Sequence, residues 1–104
     1  MTTHKTQELK EFIADNENEL SKQTLKTYIN DYKRFRTEMR GKQNIYNLSQ
    51  KEIIDIVSNS DFNKLALLNI AIVILRWKNK EHSRLIKYRT DLQENKAEQQ
   101  ADKN

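Results

Sequence analysis

Residues 21–41 read SKQTLKTYINDYKRFRTEMRG. The stretch carries its own start and stop signals for a helix. Ser21 suits the N-cap, where its hydroxyl accepts a free amide proton of the first turn. Gly41, the only glycine of the chain, stands where a left-handed C′ residue belongs. Between them Leu25, Tyr28, Ile29, Tyr32, Phe35 and Met39 recur at spacings of three and four, which predicts one apolar face on a helix from about Lys22 to Arg40. At about 100° per residue, Lys22, Lys26, Lys33 and Arg40 gather on one flank of that face, and Asp31 and Glu38 on the other. Folding requires only the apolar stripe. The basic stripe is additional, and it points to a polyanionic partner.

Upstream, Thr6 to about Asp15 predicts a short helix with Leu9, Phe12 and Ile13 as its apolar contacts, followed by an acidic loop from Asp15 to Glu19. Downstream, Lys42 to Leu48 reads as a connection that tucks Ile45, Tyr46 and Leu48 under the fold. Ser49 with Glu52 three residues on is a capping box, and Leu48 and Ile53 occupy the hydrophobic-staple positions around it. The helix they open ends near Val57. Ser58, Asn59 and Ser60 form a turn, with Ser60 or Asp61 as the cap of the next helix. That fourth helix is the most apolar element, with Phe62, Leu65, Ala66, Leu68, Ile72 and Leu75 on one side and Leu67, Ile70, Ala71, Ile74 and Trp77 continuing around the axis. Such a helix belongs at the centre of a fold. After Trp77 the sequence turns basic, and Leu85, Ile86 and Tyr88 predict one more short helix. From Asp91 the chain is a polar Gln/Glu/Lys/Asn tail, helical or disordered, without apolar periodicity.

The expected fold is therefore an all-α, four-helix bundle with a polar C-terminal tail. Residues 1–5 are expected to be disordered, 6–90 to form one domain and 91–104 to be a tail or linker. Absence of proline and the single glycine disfavour β-turns, and absence of cysteine excludes disulfides and thiolate metal sites. The longest apolar run, Leu65 to Leu75, is interrupted by Asn69 and has the length of a core helix, not of a membrane span. The net charge of +4 conceals an uneven distribution. Residues 21–90 hold fifteen basic and six acidic side chains, while residues 1–20 and 91–104 are both net acidic. A basic middle favours nucleic acid as partner.

Catalysis finds no support in the residues. His4 and His82 are far apart and lack a metal-ligand spacing. No glycine-rich phosphate loop exists. The carboxylates of the basic-striped helix read as exposed and unpaired, and the serines are better explained as caps. Trp77 continues the apolar face of its helix and reads as a core anchor more than as a base-stacking platform. No cofactor and no metal are expected.

The pattern Ser21-x-x-Thr24-x-x-x-Tyr28-x-x-Asp31-x-x-x-Phe35 resembles the second helix of the N-terminal core-binding domain of tyrosine recombinases, the phage integrase family. Leu9, Phe12 and Ile13 stand where that family has an apolar group in a preceding helix. Leu48-Ser49 followed by Ile53 and Ile54 resembles its short third helix, and Leu65, Leu68, Ile72 and Trp77 its long fourth one. The resemblance covers about residues 6–90. It implies a four-helix, SAM-like bundle that closes over one side of duplex DNA, with Lys22, Thr24, Lys26, Lys33, Arg36 and Arg40, and the basic cluster Lys78, Lys80, Arg84 and Lys87, facing the DNA. The family's catalytic domain has no counterpart in these residues, and His82-Ser83-Arg84 does not make its His-x-x-Arg motif. The chain is thus expected to bind DNA inside the cell without cutting it, as a domain of a longer recombinase or a free-standing relative of viral or mobile-element origin. Two rivals stand beside this reading. One is a structural or protein-interaction module, such as a virion or assembly component, in which Trp77 or Tyr46 anchors a partner. The other is a helix-turn-helix regulator spanning Ser49 to Leu75, against which speaks the apolar character of its second helix.

Overall fold

The computed structural model describes residues 6–39 and 43–102, the last eight by backbone only. The expectations for residues 1–5, for Arg40 as a DNA contact and for Gly41 as a C′ residue lie outside the described residues, as does His4. Five α-helices follow one another: α1 (Gln7–Asn16), α2 (Lys22–Met39), α3 (Gln50–Ser58), α4 (Lys64–Trp77) and α5 (Ser83–Asp102), with a 3-10 turn at Ile45–Asn47 between α2 and α3. No strand occurs among the described residues.

Local capping sets most boundaries. The Thr6 hydroxyl accepts the Leu9 amide at 3.1 Å and opens α1. The Ser21 hydroxyl accepts the Thr24 amide at 3.1 Å, so the serine caps α2 as expected. Ser49 and Glu52 form the reciprocal capping box, at 3.1 Å and 2.9 Å. Leu48 and Ile53, the staple pair, are both in the core.

The start of α4 differs from the expectation. Its N-cap is Asn63, whose side-chain oxygen accepts the Ala66 amide at 3.2 Å, and Phe62 precedes the helix. Ser60 is buried and uses its hydroxyl on the Phe62 amide at 3.0 Å, holding the turn instead of the helix. Phe62 still packs against the core, with the Arg34 guanidinium 4.5 Å above its ring.

α4 is the hub. It packs against α2, α3, α5 and the 3-10 turn. Leu67, Leu68, Ile70, Ala71, Ile72, Ile74 and Leu75 are all buried, which leaves one exposed stripe marked by Asn69 and Arg76. Phe12 from α1, Tyr32 and Phe35 from α2, Ile53 and Val57 from α3 and Leu85 from α5 complete one continuous core. A helix of this composition is stable only when surrounded, because each exposed large aliphatic side chain forgoes about 1.5–3 kcal/mol of burial.

The C-terminal half also departs from the expectation. The short helix around Leu85–Tyr88 is the first turn and a half of a twenty-residue helix that crosses residue 90 without a break. Leu92 packs against the core. Beyond it, Gln, Glu, Lys and Ala are good helix formers and no proline or glycine stops propagation.

Candidate nucleic-acid interface

The basic flank of α2 is built by helix geometry. Lys22, Lys26 and Lys33 follow at steps of four and seven, so their Cβ atoms align along one side of the helix. Lys22 and Lys26 are exposed and Lys33 is half-buried. Among the described residues none of the three forms an ion pair or a side-chain hydrogen bond. The opposite flank is acidic. Glu38 shares a cleft with Asp55 and Ile56 of α3 and with Asn59, its C-cap, and partial burial raises the Asp31 carboxyl above the ordinary aspartate range. Positive charge unpaired among the described residues thus lies on one side of α2, and on the other lie the acids Asp31 and Glu38, the latter paired with Arg34 at 3.7 Å.

Thr24 belongs to the helix cap: it is half-buried, and its hydroxyl accepts from Ser21 Oγ at 2.9 Å. Arg36 is half-buried and engaged, its guanidinium donating to the Gln43 carbonyl and lying 3.8 Å from Met39 Sδ. It ties the end of α2 to the chain that follows.

In the second cluster Lys78 is likewise engaged. Its ammonium lies 4.2 Å from the centre of the Trp77 ring, 5.1 Å from that of Tyr46 and 3.8 Å from the Glu11 carboxylate. Lys80, Arg84 and Lys87 are exposed, and among the described residues their side chains form no ion pair. The loop that carries Lys80 is closed by a pair of helix-terminating bonds, from the Lys80 amide to the Leu75 carbonyl at 2.8 Å and from the Asn79 amide to the Arg76 carbonyl at 3.1 Å. This is the Schellman pattern, and Asn79 at φ 57° fills the left-handed position that glycine usually takes. Glu81 then accepts the His82 and Ser83 amides, each at 3.1 Å. These bonds, the Ser83 amide foremost, hold the Glu81 carboxyl below its ordinary range. The His82 ring is turned to the Lys80 carbonyl at 2.8 Å, where Nδ1 donates.

The structure therefore divides nine of the ten expected DNA contacts, Arg40 lying outside the described residues. Lys22, Lys26 and Lys33 form one group and Lys80, Arg84 and Lys87 a second. Thr24, Arg36 and Lys78 are occupied within the fold. Arg76, exposed at the end of α4, is a further basic side chain that the sequence placed in the basic segment without singling it out. Trp77 is half-buried, packed edge-on against Phe12 at 5.4 Å and against Tyr46 at 6.4 Å, and its Nε1 donates to Asp15 Oδ2 at 2.9 Å.

Among the described residues no group of three His, Asp or Glu side chains is placed to hold a metal ion, and no helix is long and apolar enough to cross a membrane. No family model matches the chain, and neither a curated protein nor a solved structure matches it.

Proposed function

We propose that this domain binds duplex DNA through its phosphates, in the manner of the DNA-clamping domain of a site-specific recombinase or integrase, and that it positions DNA without cleaving it. The observation that carries the reading is the flank Lys22, Lys26, Lys33. Like charges four residues apart on a helix cost about 0.2–0.5 kcal/mol per pair, and no acidic side chain offsets this one among the described residues. A polyanion along the flank supplies the missing countercharge. Lys80, Arg84 and Lys87 add a second contact of the same kind. Backbone contacts fix orientation and register on the duplex and carry no base information. The acidic flank with Glu38 and Asp55 keeps the interaction one-sided.

The test is duplex binding by fluorescence anisotropy across a salt series. If the six free basic side chains each neutralise a phosphate, the slope of log K against log salt is about −5, at about −0.9 per phosphate. Changing Lys22, Lys26 and Lys33 together to glutamine should flatten that slope by about 3 with helix content unchanged. Equal slopes for the two proteins, or no binding at low salt, would overturn the proposal.

A further inference from the structure

We infer that the groove where α1, α2 and α4 meet is a docking site for a peptide segment of a partner protein, one that offers an apolar anchor side chain beside a carboxylate. The groove has a volume of about 290 Å³ and is lined by Phe12, Leu20, Tyr28, Val73 and Trp77, with Arg76 on its rim. It lies at the lower edge of the size of small-molecule pockets, so it suits one large side chain better than a cofactor.

Three features favour a protein occupant. The walls are held in place before anything binds. Phe12 packs edge-on against both Tyr28 and Trp77, at 6.2 Å and 5.4 Å, and the indole is tethered to Asp15. Rigid aromatic walls reduce the ordering cost of association. Trp, Tyr and Arg, the residue types that dominate interface hot spots, are all present at this one groove. The charges are also split. Arg76 is exposed and forms no ion pair among the described residues, whereas Asp15 and the turn bearing Glu17 and Glu19 stand on the α1 side. A uniformly anionic nucleic-acid backbone would be repelled by that acidic edge. A peptide with its carboxylate directed to Arg76 would not. Tyr28 belongs to the core face of α2 and not to its lysine flank, so the groove is separate from that flank, while Arg76 also lines a cleft with Lys80 of the second basic group.

The experiment is a selection of phage-displayed random peptides on the whole chain, followed by titration of the selected peptides, synthesised without tryptophan, while the emission of Trp77 is recorded. Trp77 is the only tryptophan, so its emission reports on the groove. The expected result is enrichment of a large apolar residue next to Asp or Glu, a blue shift of Trp77 on binding and at least a tenfold loss of affinity in Arg76→Glu. A peptide with its acid changed to lysine should bind Arg76→Glu better than the original peptide does. Circular dichroism should find the variant folded, because Arg76 is exposed. Failure of any peptide to enrich, unchanged Trp77 emission, or equal affinity for wild type and Arg76→Glu would overturn the inference. So would a duplex DNA that shifts Trp77 and competes with the selected peptides. Loss of the salt-dependent DNA binding alone bears on the lysine flank and leaves the peptide result standing.

Discussion

The Tyr32 hydroxyl donates a 2.8 Å hydrogen bond to the carboxylate of Glu8, twenty-four residues upstream, and both side chains are buried. The same carboxylate accepts the Ile45 amide at 3.0 Å and the Tyr46 amide at 3.2 Å. Thr6, the cap of α1, shares the tyrosine hydroxyl. One acid thus joins α1, α2 and the 3-10 turn. No buried side-chain nitrogen or oxygen is left without a partner among the described residues.

Glu8→Ala would leave the Ile45 and Tyr46 amides short of an acceptor, while the Tyr32 hydroxyl keeps Thr6 as a partner. Each orphaned buried group costs about 1–3 kcal/mol, so the variant should lose about 2 kcal/mol or more in urea unfolding. Glu8→Gln keeps one acceptor oxygen and should lose less. A variant as stable as wild type would show that water replaces the carboxylate.

Tyr32 also predicts a loss of stability in alkali. Burial above all, with a further contribution from Glu8, raises its hydroxyl well above the ordinary tyrosine range. The unfolded chain then loses this proton at a lower pH than the folded one, so stability falls as pH rises above about 10. Tyr32→Phe should flatten the decline in denaturant midpoint between about pH 9.5 and 11. An unchanged decline would place its origin elsewhere.

Asn79 holds a left-handed backbone at the end of α4. Asn79→Ala should lower stability by about 1 kcal/mol, and Asn79→Gly should match or exceed wild type in thermal melting. The opposite order would argue that the side chain, not the backbone, matters at this position.

Lys78 should behave unlike the lysines of the α2 flank. Its ammonium is committed to Trp77, Tyr46 and Glu11, so Lys78→Gln should cost about 0.5–1 kcal/mol of stability. In the anisotropy salt series it should leave the slope unchanged. A flattened slope would make it a phosphate contact after all.

Leu92 sets the effective end of the packed helix. Truncation after Thr90 removes it and should cost about 1 kcal/mol more than truncation after Glu94. Within the core, Leu68→Ala or Ile72→Ala should cost about 2–5 kcal/mol. Equal melting of the two truncations would show Leu92 to be dispensable.

Periodicity and short-range capping are local properties, and the sequence by itself determined what depends on them. The apolar stripe of α2, the Ser21 cap, the Ser49–Glu52 box and the central place of α4 were legible, because a helix writes its partners at fixed steps of three and four. The lysine flank was legible for the same reason. The composition also excluded disulfides.

What the tertiary structure alone decided involves groups far apart in the chain. Glu8 looks like any first-turn acid until Tyr32, Ile45 and Tyr46 close around it. Arg36 and Lys78 carry the same charge as Lys22 and Lys26, yet a carbonyl and two aromatic rings engage them. The start of α4 moved to Asn63 because Ser60 was taken up by the turn before it. Charge and propensity are written residue by residue, but whether a basic side chain is free for a ligand depends on which neighbours the packing brings within reach. That is a property of the folded surface, fixed by burial and distance between segments that the chain order keeps apart.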